Sequence, residues 1–152
     1  MNLVMGKKIL VLGTGAQGTT VAKRLDLEPN VDKIICADYD EAAAKELAAS
    51  LNKAEGCFCN ASEKDQITPL LEGCDLVVNA LPLAFGKNVI DAALEAKVNY
   101  QDFAAPEGFE DTWEQCMYRL LGDYNEKFKE AGILGIMGTG SAPGTMCVVA
   151  RD

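Results

Sequence analysis

Three glycines and one carboxylate carry the clearest chemistry in the sequence. Gly13-Thr14-Gly15-Ala16-Gln17-Gly18 follows the apolar run Lys8-Ile9-Leu10-Val11-Leu12 and opens a helix-like segment. Asp38 closes the next apolar run, Lys33-Ile34-Ile35-Cys36-Ala37-Asp38, twenty residues beyond Gly18. A G-x-G-x-x-G turn between strand and helix suits a dinucleotide: Gly13 permits the tight turn, Gly15 lets the backbone approach a pyrophosphate, and Gly18 lets the helix pack closely on the strand. Ala16 and Gln17 open that helix, where free amides and the positive dipole end hold an anion without a basic side chain. Asp38 is placed to accept hydrogen bonds from the adenosine ribose diol. Against the 2′-phosphate of NADP, two charges ~4 Å apart repel by roughly 1 to 4 kcal/mol, so NAD is the preferred cofactor. The plainer reading of these residues is an ordinary strand-to-helix turn, with Asp38 capping the next helix.

The elements that position this turn alternate along the chain. Strands are expected over 7–12, 33–38, 55–59, 74–80, 98–103 and 133–137, with helices over 16–27, 40–53, 64–72, 84–96 and 109–131. Short, continuous apolar strands separated by amphipathic helices indicate a parallel sheet covered on both faces, a doubly wound α/β (Rossmann) fold with strand order 3-2-1-4-5-6. Asp40 is placed to cap the Ala-rich helix over 40–53. In the last helix Trp113, Met117, Leu120, Leu121, Tyr124 and Phe128 form one apolar face. That face covers the sheet or, in part, docks a second domain or subunit. Gly122 in its middle costs about 1 kcal/mol against Ala and permits a break.

The chain has 152 residues, a length suited to one domain. Its 14 Lys and Arg against 23 Asp and Glu give a net charge of -9, which supplies no attraction to nucleic acid or to anionic lipid. No apolar stretch approaches the ~20 residues of a spanning helix, and no signal-peptide core stands at the start; a soluble, cytoplasmic protein is expected. Six cysteines, Cys36, Cys57, Cys59, Cys74, Cys116 and Cys147, fall mostly in apolar runs and read as free, buried thiols. The Cys57-Phe58-Cys59 spacing does not fit a CxxC motif and the chain has no histidine, so no metal site is expected. Any acid or base must be Lys, Tyr, Cys or a carboxylate.

Three further stretches extend the pattern: Val77-Val78-Asn79-Ala80-Leu81-Pro82, Asn99-Tyr100-Gln101-Asp102-Phe103, and Ala131-Gly132-Ile133 followed by Gly138-Thr139-Gly140-Ser141-Ala142-Pro143-Gly144. In order and spacing they resemble the saccharopine dehydrogenase family, and the glycine turn resembles its lysine 6-dehydrogenase-like branch. The resemblance spans essentially the whole chain. Asn79, Ala80, Leu81 and Pro82 lie at a strand's carboxyl end, beside the switch-point crevice where doubly wound sheets bind ligands. The resemblance implies that Tyr100 and Asp102, which share one strand face, line the cofactor and substrate cleft, with Asp102 as the candidate proton carrier. In the plainer reading Tyr100 is a core residue and Asp102 a helix cap. Segment 138–144 closes over the nicotinamide end in this family, or is a simple loop. Where many members show arginine after the strand-two acid, this chain has Tyr39, which removes a 2′-phosphate partner and again favours NAD.

The resemblance implies an oxidoreductase acting on an amino-acid carbon–nitrogen bond. It divides the sequence into a dinucleotide-binding domain over 1–144 and, over 145–152, the start of a helix leading into a substrate and dimerisation domain not contained in the sequence. The sequence is then the cofactor domain of a longer enzyme, or the product of a split or truncated reading frame. Its partners would be dinucleotide, a small amino-acid substrate in the full-length enzyme, and a second copy in a homodimer; alone it would turn over little. The alternative is a nucleotide-sensing regulatory Rossmann module of the potassium-transport type, which shares the glycine turn and the strand-two acid but has no evident need for the later motifs. A short-chain dehydrogenase is disfavoured, since no tyrosine has a lysine four residues on.

Overall fold

The computed structural model of the chain describes residues 6–104 and 112–151. Among them, β1 (Lys7–Leu12), β2 (Val31–Asp38), β3 (Ala54–Phe58), β4 (Leu76–Asn79), β5 (Asn99–Asp102) and β6 (Gly135–Ile136) form one parallel sheet in the order β3-β2-β1-β4-β5-β6. This is the expected doubly wound order, and the continuous apolar run of β1 suits a strand buried on both faces. Ile9 and Val11 face one side, packing with Ile34, Cys36 and Val78 against Ala22 of α1 (Ala16–Asp26) and Leu47 of α2 (Glu41–Ala49). Leu10 and Leu12 face the other, joining a core with Ile67 of α3 (Lys64–Ile67) and with Val89 and Ile90 of α4 (Gly86–Ala96). Each such buried Leu, Ile or Val contributes about 1.5–3 kcal/mol over an exposed one, so β1 anchors both layers.

Local chemistry sets the element ends. Asp40 caps α2 as expected, its Oδ1 accepting the Ala43 N–H at 3.0 Å. The helix expected over 64–72 is α only to Ile67; Pro69 has no N–H for the ladder, and the chain tightens into a 3₁₀ turn over Thr68–Leu71. Asp26 accepts from the Asn52 and Lys53 N–H groups and from Asn52 Nδ2, each at 2.9 Å, and so ties the end of α1 to the approach to β3.

The helix expected over 109–131 continues through Gly122 rather than breaking. It consists of α5 (Trp113–Arg119), a π turn over Leu120–Tyr124 and α6 (Asn125–Ala131). The extra residue in the π turn rotates the apolar face, so that Cys116, Leu120, Tyr124 and Phe128 are buried at intervals of four while Leu121 is 75% exposed. Leu121 thus leaves the expected face and Cys116 joins it; residues 109–111 and the Trp113 side chain lie outside the described residues. A second π turn (Ser141–Thr145) leads into α7 (Met146–Val149) within the helical segment expected near the end. The cysteines are free, with Cys36, Cys59, Cys74 and Cys116 buried, Cys57 half-buried and Cys147 exposed, the last against expectation.

The β1–α1 junction has the least room in the sheet. Gly13 adopts φ +95°, a region that only glycine occupies freely, and a Cβ on Gly18 would lie 1.8 Å from the Gly13 carbonyl oxygen. Gly18→Ala should lower stability by about 1–3 kcal/mol or more, measured as a reduced urea midpoint. An unchanged midpoint would show that α1 can move away from β1 without penalty.

Candidate functional site

The crevice lies at the carboxyl ends of β1, β2, β4 and β5. At its centre the Gly13 N–H donates to the Ala37 carbonyl at 2.8 Å, tying the glycine turn to β2. On the other side a Cβ on Gly13 would meet Leu81 Cδ2 at 2.9 Å and the Ala80 carbonyl at 3.1 Å, so the turn after β4 rests directly on it. Gly15 differs from its two neighbours. Its φ of -65° suits any residue, and no atom lies within 4 Å of the Cβ it lacks. No backbone angle or packing contact requires glycine there, and the missing Cβ leaves the backbone open to a diphosphate. Gly15 is also the N-cap of α1 and offers no side-chain acceptor, and Ala16 and Gln17 follow as the first helical residues. The residues present therefore fit a dinucleotide pyrophosphate.

Asp38, half-buried at the end of β2, folds back on the turn. Its Oδ2 accepts the Thr14 N–H at 2.6 Å and the Thr14 hydroxyl at 3.0 Å, and its Oδ1 accepts the Asp40 N–H at 3.0 Å. Burial acts to raise the carboxyl pKa, but these hydrogen bonds, that of Thr14 N–H foremost, outweigh it and hold the group ionised below its usual range. The cap of α2 is Asp40, not Asp38. The Tyr39 N–H bonds this carboxylate as well, so its roughly four acceptor positions are taken, and one on Oδ2 opens for an incoming hydroxyl when the Thr14 hydroxyl rotates away. Tyr39 projects into solvent, 72% exposed, with its ring 5.5 Å from that of Phe58 at the end of β3.

On the opposite side, Asn79 and Asp102 are register partners on β4 and β5. Asn79 Oδ1 accepts the Leu81 N–H at 3.2 Å, while its Nδ2 donates to the Tyr100 hydroxyl at 3.1 Å. Tyr100 in turn donates to Asp102 Oδ2 at 2.7 Å, and Asp102 Oδ1 accepts the Gly138 N–H at 2.6 Å. All three side chains are buried. Burial pushes the Asp102 carboxyl above the usual range, against the pull of the Gly138 and Tyr100 bonds, and pushes the Tyr100 phenol up as well. Each Asp102 oxygen thus takes one hydrogen bond and keeps one further acceptor position. A cavity of about 90 Å³ lies alongside, lined by Gln17, Asn79, Ala80, Leu81, Asp102 and Phe103 among others. Pro82 follows as the N-cap of a short 3₁₀ turn (Leu83–Phe85).

The structure thus gathers Gly13, Gly15, Ala16, Gln17, Gly18, Asn79, Ala80, Leu81, Pro82 and Asp102 around the centre of one crevice, with Asp38 and Tyr39 at its β2 end. Sequence reasoning gave no part to Thr14, which binds Asp38, to Phe58 beside Tyr39, or to Gly138, which binds Asp102. Thr14 and Gly138 both lie inside noted glycine-rich motifs, whereas Phe58 had no such signal.

The family described as the saccharopine dehydrogenase NADP-binding domain matches residues 9–136. The chain belongs to this family. The family is one of nicotinamide-dinucleotide-binding domains of oxidoreductases, and membership does not favour the nucleotide-sensing alternative. Among relatives of this saccharopine dehydrogenase-type domain, carboxynorspermidine synthase of Vibrio alginolyticus is 32% identical over 157 residues, covering 93% of this chain and 38% of the relative. Carboxyaminopropylagmatine dehydrogenase of Synechocystis sp. is 31% identical, covering 90% and 35%. The chain therefore spans less than two-fifths of the length of these relatives. Among solved structures, the apo histidine-tagged saccharopine dehydrogenase (L-Glu forming) from Saccharomyces cerevisiae shares the fold, with TM-score 0.77 and 22% identity over 95% of this chain and 30% of that one. Among the described residues, no helix is long and apolar enough to cross a membrane.

Because a Cβ at position 15 meets no protein atom but would stand in the approach to the backbone, Gly15→Val should leave the thermal melt of the domain within a few degrees of the original while removing dinucleotide binding by calorimetry. Retained affinity in the folded variant would take the pyrophosphate away from this turn.

Proposed function

We propose that this domain binds NAD in preference to NADP and serves an oxidoreductase acting on an amino-acid carbon–nitrogen bond. The carrying observation is the pairing of an open, unfilled approach at Gly15 with an ionised Asp38 carboxylate beside the same turn. The Gly15, Ala16 and Gln17 backbone would hold the pyrophosphate, and Asp38 would take a ribose hydroxyl in place of the rotatable Thr14 hydroxyl. When bound, the nicotinamide supplies a hydride donor or acceptor. The protein's part is to orient it and exclude water, with Asn79, Ala80, Leu81 and Pro82 on the side away from Asp38. Relatives named carboxynorspermidine synthase, carboxyaminopropylagmatine dehydrogenase and saccharopine dehydrogenase support an amino-acid-derived substrate.

The dinucleotide-binding unit spans 1–144 in this reading, and the segment over 145–152 leads toward a substrate and dimerisation domain corresponding to the further length of the relatives. Substrate contacts belong to that further length, in a cytoplasmic homodimer. By itself the chain binds dinucleotide but has little or no turnover; dehydrogenase activity of the purified chain on lysine or saccharopine would contradict this.

Calorimetric titration with NADH and NADPH tests the cofactor preference. NADH should bind more tightly, and Asp38→Ala should weaken NADH and narrow the gap to NADPH by at least about fivefold, the smaller end of the expected charge repulsion. Equal affinities in the original chain, or a gap that the substitution leaves unchanged, would remove Asp38 as the discriminating group.

A further inference from the structure

The buried side chains between β4 and β5 form a continuous hydrogen-bonded line that begins and ends on backbone. The Leu81 N–H donates to Asn79 Oδ1, Asn79 Nδ2 to the Tyr100 hydroxyl, and Tyr100 to Asp102 Oδ2, while Asp102 Oδ1 takes the Gly138 N–H. The direction of every bond is fixed. Asn79 must turn its oxygen to the Leu81 N–H, which aims its amide at Tyr100, whose proton is then left for the carboxylate. A tyrosine that merely filled this space would need only one partner for its hydroxyl, and phenylalanine would fill the same volume without burying a hydroxyl. Tyr100, 1% exposed, instead serves two partners. The terminal bonds hold the turn after β4 and, at Gly138 with φ +69°, the bend that follows β6. That bend is held a second time, by bonds from the Thr139 N–H at 3.1 Å and the Thr139 hydroxyl at 2.6 Å to the Asp102 carbonyl.

We propose that Tyr100 is a positioning residue for the nicotinamide half of the dinucleotide, acting through Asn79 on the turn at 80–82 and through Asp102 on Gly138. The inference rests on the dinucleotide reading above. With the pyrophosphate at the start of α1 and Asp38 drawing the adenosine half toward β2, the other half extends across β1 toward β4. There the turn at 80–82 and the cavity of about 90 Å³ lie. Asp102, with a bond on each oxygen, belongs to this line as a positioning residue.

The test compares NADH with ADP-ribose, which keeps the adenosine, the diphosphate and one further ribose but lacks nicotinamide, on the original chain and on Tyr100→Phe, with folding followed by circular dichroism. Loss of the hydroxyl should weaken NADH by about tenfold while ADP-ribose changes by less than about twofold. Equal losses for both ligands, or no loss in a folded variant, would reduce Tyr100 to a core residue. Amide hydrogen exchange on the original chain gives a second measurement that needs no variant: Leu81 and Gly138 should slow with NADH and not with ADP-ribose, and an identical response to the two would overturn the proposal. If the original chain binds neither ligand, the dinucleotide reading fails and the inference falls with it. ADP-ribose binding without NADH binding would overturn the inference alone.

Discussion

The space between the Gly13 carbonyl and Gly18 is too small for a methyl group, and the rest of the crevice is arranged around that contact. It occurs at the end of β1, which pairs on both sides and whose Leu10, Val11 and Leu12 are fully buried. Because β1 cannot shift, the close contact determines where α1 begins and points its first amides into the crevice. The turn after β4 then rests on Gly13 through Ala80 and Leu81, and the β2 carboxylate reaches Thr14. A wider turn would loosen all three relationships together, since each is measured from the same few backbone atoms.

The two sides of the crevice are stabilised by different physics. Near β2 the fixing bonds are short-range and partly exposed: Asp38 takes N–H groups from two adjoining loops, and water can replace any bond it gives up. Between β4 and β5 the polar groups are buried, and an unpaired one there costs about 1–3 kcal/mol. Asn79, Tyr100 and Asp102 are therefore tolerated only as a complete set. The β2 side can adjust to an incoming hydroxyl by rotating one threonine, whereas the β4 side holds its shape. In the proposed function, the adjustable side meets the adenosine ribose and the rigid side the nicotinamide ring.

Much of this is legible in the sequence where the determining interactions are local. Apolar runs bounded by polar or glycine residues mark β1, β2 and β4, and Asp40 announces the start of α2. Limits are less legible where a single residue changes the hydrogen-bonding pattern. Pro69 tightens one helix, and the π turn around Gly122 exchanges Leu121 for Cys116 on the buried face, which a periodicity of 3.6 cannot anticipate. The glycine turn is legible because its spacing is local. The bonds from Asn79 to Tyr100 and from Asp102 to Gly138 join residues 21 and 36 positions apart, and no local pattern encodes them. The β5 sequence Asn99-Tyr100-Gln101-Asp102 is polar enough to pass for an exposed edge strand, yet Tyr100 and Asp102 are buried because α4 and the α5–α6 helix cover that face.

Asking what each residue does for the fold itself separates the glycines more sharply than their shared motif does. Gly13 is required by its backbone angle and Gly18 by the carbonyl it touches, so both would remain necessary in a domain that bound nothing. Gly15 satisfies neither condition. As the N-cap of α1, glycine is better than alanine but poorer than serine, aspartate or asparagine, whose side chains would bond the first amides. Glycine instead leaves those amides and the backbone open to whatever approaches from outside. The same reasoning gives Asp26, whose oxygens all serve neighbouring backbone and side-chain donors, to the fold alone. Asp38 serves the fold by bracing the turn through the Thr14 N–H, and the rotatable Thr14 hydroxyl can give up an acceptor position on the same carboxylate.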